Sequence, residues 1–316
     1  MLVFPAATVW SMPGIKVDAY VTFTDNLFQN YSRRSDWITL TYFEMNHSIG
    51  QTMGVYYSGN ANVFAEYEDL FTHRHEVGFR YYRPQGGRNG LFTGVKVRTR
   101  LDKPVYRYYD SIEGEGYVHM KKYLRPSLLS WFSAQTQWRH YYHAPDYSYI
   151  ESGTNARLSQ FLPTRTTLEL RARLGAKSFV RSTLEDALDG EGRLRSGGSR
   201  NLTQITLAGK VAQTLSTGLG LQVEYSWRTN LSGRNRYEEI NSYNIDEELF
   251  DDRYSYDQKG FSTVLKKMTK RDSWIKLAGG RETRTYLGRP ALDLNSVPVE
   301  DGQTRKDNRW RASLGP

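Results

Sequence analysis

The sequence predicts an all-β chain, a closed antiparallel barrel of about 14 strands whose connections alternate between short and long. Three observations predict it. Apolar and polar residues alternate with a period of two along nearly the whole chain. The alternating segments outrun the strands of ordinary globular proteins. The connections sort by length according to their place in the chain.

Successive side chains of a strand point to opposite faces, so strict alternation gives one apolar and one polar face. The clearest segment sets Leu168, Leu170, Ala172, Leu174 and Ala176 against Glu169, Arg171, Arg173 and Lys177. Leu219, Leu221, Val223, Tyr225 and Trp227 oppose Gln222, Glu224, Ser226 and Arg228. Leu91, Thr93, Val95 and Val97 oppose Lys96, Arg98 and Arg100, and Ile15, Val17, Ala19, Val21 and Phe23 oppose Lys16, Asp18, Tyr20 and Thr22. Ile205, Leu207, Gly209 and Val211 oppose Gln204, Thr206 and Lys210. Ile112, Gly114, Gly116, Val118 and Met120 oppose Glu113, Glu115, His119 and Lys121.

Such segments start near Ile15, Trp37, Thr52, Arg74, Gly90, Ser111, Leu128, Ser148, Thr166, Asn201, Gly218, Asp257, Ser273 and Lys306. Several exceed the about 5–6 residues of a typical globular strand and suit the ~9–11 residues with which a tilted strand crosses a bilayer. No segment has a helical period, and only Thr183–Asp189 is expected to form a single helical turn within a loop.

The short connections are His47–Gln51, Pro84–Asn89, Leu124–Ser127, Leu162–Arg165, Leu215–Gly218 and Lys267–Arg271. Between them lie Thr24–Asp36, Tyr67–His73, Leu101–Asp110, Ser178–Arg200, Thr229–Tyr256 and Tyr286–Arg305, while His143–Tyr147 is short where the parity asks for a long one. A meander therefore places all the long connections at one end.

Composition limits the alternatives. No run approaches 18 apolar residues and the mean hydropathy is −0.66, which excludes a membrane-spanning helix but not strands that face lipid with every second residue. The net charge is +9, but the basic residues are interspersed within strands rather than gathered in a nucleic-acid-binding block. There are no cysteines, hence no disulfide framework and no thiolate metal site. The 23 tyrosines and 7 tryptophans suit surfaces where an apolar medium meets water. The short apolar run Leu2–Trp10 has no preceding Lys or Arg and is read as a leader or signal-peptide remnant within residues 1–14, ahead of one domain spanning 15–316.

On these alternating segments and this sorting of loops, the chain resembles a bacterial outer-membrane β-barrel protein from about Ile15 to its C-terminus. The resemblance is to an architecture rather than to one family. It implies a Gram-negative outer-membrane location, short periplasmic turns, longer extracellular loops, and the lipid bilayer and lipopolysaccharide as partners. It also implies a terminal aromatic residue, whereas the chain ends Arg311-Ala312-Ser313-Leu314-Gly315-Pro316, so either a truncated C-terminus with a short last strand or a different closure is expected.

The expected function is a porin-like channel or transport component with a polar, net basic lumen. Its expected lining is Arg80, Lys96, Arg98, Arg100, Glu113, Glu115, Lys121, Glu169, Arg171, Arg173, Lys210, Glu224 and Arg228. Two readings of that set stand side by side: a lumen favouring small anionic solutes, or cross-strand ion pairs that brace the wall. A non-conducting anchor, adhesin or secretion scaffold with an envelope protein partner is the alternative function, and an outer-membrane hydrolase a third. No enzyme, cofactor, metal or nucleic-acid role is expected, because His47, His73, His75, His119, His140 and His143 lie in no spacing that forces a triad or a third metal ligand. His119 near Glu113 and Glu115, and His140 near a neighbouring serine, are the nearest approaches to a catalytic group, and the His73/His75 pair the nearest to a metal site. Trp131, Trp138, Tyr141, Tyr142, Tyr147 and Tyr149 are expected to form an interfacial girdle. The carboxylates Glu238, Glu239, Asp246, Glu247, Glu248, Asp251 and Asp252 are expected in a solvated loop.

Overall fold

The computed structural model describes residues 14–24, 35–181, 187–188, 194–196, 198–235, 237–238, 253–269, 273–291 and 303–315. Fourteen long strands form one antiparallel sheet: β1 (Gly14–Thr24), β2 (Asp36–Ile49), β3 (Met53–Phe64), β4 (Thr72–Pro84), β5 (Gly90–Asp102), β6 (Ser111–Arg125), β7 (Leu128–Tyr141), β8 (Tyr149–Phe161), β9 (Thr166–Phe179), β12 (Asn201–Ser216), β13 (Leu219–Ser232), β15 (Tyr256–Met268), β16 (Trp274–Pro290) and β17 (Thr304–Gly315). Three short strands, β10 (Ala187–Leu188), β11 (Leu194–Ser196) and β14 (Tyr237–Glu238), pair separately. Ala187 and Leu188 are thus extended where a helical turn was expected, and the rest of that expected turn lies outside the described residues. So do residues 1–13 and most of the acidic segment, residues 239–252.

The large sheet is a meander in which each long strand pairs with the next long strand in the chain. β1 and β17 are its edges among the described residues. Each expected strand start falls within two residues of an observed one. Among the described residues, the short connections 50–52, 85–89, 126–127, 162–165 and 217–218 lie at one end. The opposite end holds the described residues 65–71, 103–110, 142–148, 180–181, 198–200, 233–235 and 253–255. The two-residue turn 217–218 depends on Gly218, whose φ of +78° is reached without strain only by glycine.

The two faces differ in the reverse of the usual sense. On β9 the leucine row is exposed, with Leu170 at 66% and Leu174 at 51%, while Glu169 and Lys177 on the other face are 7% and 3% exposed. Val77, Val95 and Val97 are exposed with the leucines. No α-helix or second large sheet covers the polar face among the described residues; short 3-10 turns, as at Pro104–Tyr109, approach it only at its end. On this face long side chains cover one another. Two of them span a whole intervening strand: Arg171 of β9 reaches Glu224 of β13, and Arg80 of β4 reaches Asn46 of β2.

Among the described residues, an apolar core sits at the long-connection end. It joins Phe64, Leu70, Tyr106, Tyr109, Tyr141, Tyr147, Tyr149, Phe179, Leu202 and Tyr254, several of which come from connections rather than strands. This corrects the expected aromatic girdle. Tyr141, Tyr147 and Tyr149 are buried in this core, whereas Trp138 and Tyr142 are exposed. Trp131 lies toward the short-turn end, beside Phe92 and His119. Parity explains the split, because Arg139 and Tyr141 share one face of β7 while Trp138 and His140 share the other. Asp36, at the start of β2, anchors the same end by accepting the backbone N–H groups of Ala65, Glu66 and Tyr67 at 3.0–3.1 Å.

Candidate functional site

The antiparallel register aligns the polar side chains of successive strands into rows that cross the sheet. All thirteen residues named as lining fall on the polar face, but they belong to two walls with different chemistry.

In the first wall, Glu76 of β4, Arg98 of β5, Glu113 of β6 and Arg139 of β7 are successive cross-strand partners with alternating charge. Arg98 donates to Glu76 through Nε at 2.9 Å and Nη2 at 2.6 Å, and to Glu113 through Nη1 at 3.3 Å. Arg139 donates to Glu113 through Nε at 2.8 Å and also through Nη2. Tyr56 Oη donates to the other oxygen of Glu76 at 2.6 Å. One row over, Lys96 lies 3.0 Å from Glu115. Arg100 closes on Asp102 at 2.8 Å and stacks over the Tyr109 ring. Each buried carboxylate therefore faces at least one cation, the condition for charges to remain ionised out of water.

In the second wall, Ser159 of β8, Glu169 of β9, Lys210 of β12 and Glu224 of β13 are successive partners. Lys210 Nζ lies 3.0 Å from Glu169, and Arg171 pairs with both Glu169 and Glu224. One row nearer the long-connection end the pairing is interrupted. Asn155, Arg173, Thr206 and Arg228 are cross-strand partners on β8, β9, β12 and β13, and this row contains no carboxylate. Arg173 makes no hydrogen bond or ion pair among the described residues. Arg228 reaches the hydroxyl of Tyr256 at 3.4 Å and lies 5.6 Å from the centre of its ring, and its Nε is buried with no hydrogen-bond partner among the described residues. A cavity of about 290 Å³ lies here, bounded by Ser133, Gln135, Asn155, Arg171, Arg173, Thr206, Arg228 and Arg253.

Arg253 belongs to residues 253–255, just before β15, which lie against the polar face as a latch. Tyr254 is fully buried, and its hydroxyl sits 2.6 Å from where a Cβ on Gly175 would stand, so only glycine leaves it room. Asn230 Nδ2 donates to the Tyr254 carbonyl at 3.1 Å, Gln204 donates to the Arg253 carbonyl, and Arg253 pairs with Glu151. Lys177 is caged by the rings of Tyr149 and Phe179 at 4.1 and 4.8 Å.

Of the thirteen residues, nine form ion pairs: Lys96, Arg98, Arg100, Glu113, Glu115, Glu169, Arg171, Lys210 and Glu224. Arg80 instead donates to Asn46 at 2.7 Å, and Lys121 lies over the Tyr123 ring. Sequence reading missed Arg139, which alternation at Trp138-Arg139-His140-Tyr141 was able to reveal. It also missed Arg253 and Tyr254, which sit in a connection with no period to read.

His73, His75 and His140 tie structure together. Tyr57 Oη meets His75 Nδ1 at 2.7 Å, and His73 meets His75 at 2.9 Å. Among the described residues, no three His, Cys, Asp or Glu side chains converge as a metal site requires. His140 does meet a serine, Ser148, at 3.2 Å, but Ser148 is 2% exposed and its hydroxyl accepts the N–H of Tyr141, tying the connection back to β7. No protein-family model matches the chain, and no curated protein is significantly similar to it.

Proposed function

We propose that the sheet closes into a barrel spanning the bacterial outer membrane and serves as a porin-like channel for small polar solutes, anions above all. The observation that carries this reading is the reversed burial: Leu170, Val95 and Val97 lie exposed while Glu113, Glu169 and Lys177 are buried. A water-soluble sheet with these faces would leave a continuous apolar surface in water. In hydrocarbon the same surface is matched to its solvent, and the charged face turns to a wet interior. Closure accounts for the edges. Unpaired N–H and C=O groups along β1 and β17 cost several kcal/mol each in hydrocarbon, and pairing the two strands removes that cost. The basic excess on the polar face favours anions in such an interior.

Gel mobility with and without boiling tests the barrel. A folded barrel shifts on heating, and identical mobility with full release from membranes by carbonate contradicts it. Planar-bilayer conductance tests the passage, with anion-selective steps expected. The apolar core at the long-connection end favours a second reading, a barrel plugged at its outer mouth that serves as an anchor or scaffold. A heat-shifted protein that never conducts selects that reading.

A further inference from the structure

We infer that the cavity between Arg173, Arg228 and Arg253 binds the phosphate group of a small polar solute. The inference deepens the channel reading and rests on this face being the solvated interior. Charge points to an anion. Arg171 is balanced by Glu169 and Glu224, and Arg253 by Glu151, but Arg173 and Arg228 face the cavity with no carboxylate among the described residues. Half-buried like charges repel, and the Nε of Arg228 is a buried donor with no acceptor among the described residues. An anion in the cavity answers both.

Geometry points to phosphate over carboxylate. A planar carboxylate is satisfied by one guanidinium fork. Here guanidinium groups arrive from three directions, β9, β13 and the latch, which suits the oxygens of a tetrahedral oxyanion. Beside the ion-paired Arg171, the lining includes the neutral hydroxyls and amides of Ser133, Gln135, Asn155 and Thr206, matched to the hydroxyls of a polyol. At about 290 Å³ the space lies at the lower limit for ligand pockets, so the solute is small. The latch makes the site conditional, because Arg253 is in place only while Tyr254 occupies its seat over Gly175.

The test is calorimetric titration of the full chain, folded in detergent micelles at low ionic strength, with inorganic phosphate and glycerol phosphate as probes and glycerol, choline and chloride as controls. Both phosphates are expected to bind, and the controls not. Arg173→Gln and Arg228→Gln are each expected to weaken binding about tenfold, the worth of one charge-assisted hydrogen bond. Arg173→Lys should retain part of the affinity, and Lys121→Gln, at the other end of the same face, should leave it unchanged. No phosphate binding by the wild-type chain overturns the site, as do equal affinity for chloride and indifference to both glutamine substitutions. The boiled and unboiled gel is run on each preparation. Loss of the heat shift in the wild type fails the barrel reading, whereas a normal shift without phosphate binding fails the site alone.

Discussion

The walls of β4–β7 and β8–β13 are built from the same residue types on the same face, yet they do different things. In the first, Glu76, Arg98, Glu113 and Arg139 alternate in sign across four strands and satisfy one another. In the second, the row Asn155, Arg173, Thr206, Arg228 has two cations and no anion. The difference teaches that charge on a strand face is not one property. Where register sets opposite charges side by side it braces the wall, and where it sets arginine beside amide and hydroxyl it leaves binding capacity.

The sharpest way to break the comparison is to remove the centre of the braced row. Glu113→Gln leaves two guanidinium groups, Arg98 and Arg139, short of a partner. The expected loss is about 3 kcal/mol, the low end of the range for a broken buried pair, because Arg98 is partly exposed. The midpoint of urea unfolding, followed by the heat-shifted gel band, reads it, and an unchanged midpoint contradicts the bracing role. Next in size is a charge on the opposite face. Leu170→Arg should cost about 2–4 kcal/mol in a bilayer if that residue meets lipid near the midplane. Insertion into vesicles reads this, and full insertion of the variant contradicts it.

A smaller effect is expected at the latch. Tyr254→Phe removes the hydroxyl seated over Gly175 and should cost about 1 kcal/mol while loosening the segment that carries Arg253. Limited proteolysis near residue 253 should become faster, and an unchanged rate counts against the latch. The smallest effect completes the comparison. Arg173→Gln should change stability by no more than about 0.5 kcal/mol, since no ion pair among the described residues is lost. A loss as large as that of Glu113→Gln would show that Arg173 braces the wall too.

Much of the fold is legible in the sequence, because a period of two reports directly on which face a residue takes. Leu168 to Lys177 gives strand, face and length at once, and the sorting of connections gives the meander. Three things are not legible, each for a physical reason. Arg171 and Arg173 are equivalent to any count of alternation, and only the register with β12 and β13 gives one of them Glu224 and leaves the other beside Thr206. The core at the long-connection end draws Tyr106, Tyr147 and Tyr254 from irregular segments, where no period marks a buried residue. Tyr141 and Tyr149 carry the right parity, but a tyrosine fits a membrane rim and a buried core equally well in composition.

The central claim is that neighbouring side chains on one strand meet different solvents. The chain has no native cysteine, so Leu170→Cys and Arg171→Cys each offer a single attachment point for a fluorescent label. After reconstitution, the label at 170 should be quenched by brominated lipid tails and spared by aqueous iodide, and the label at 171 should show the opposite. Equal iodide quenching at both positions, or protection of position 170 from both quenchers, would contradict the account.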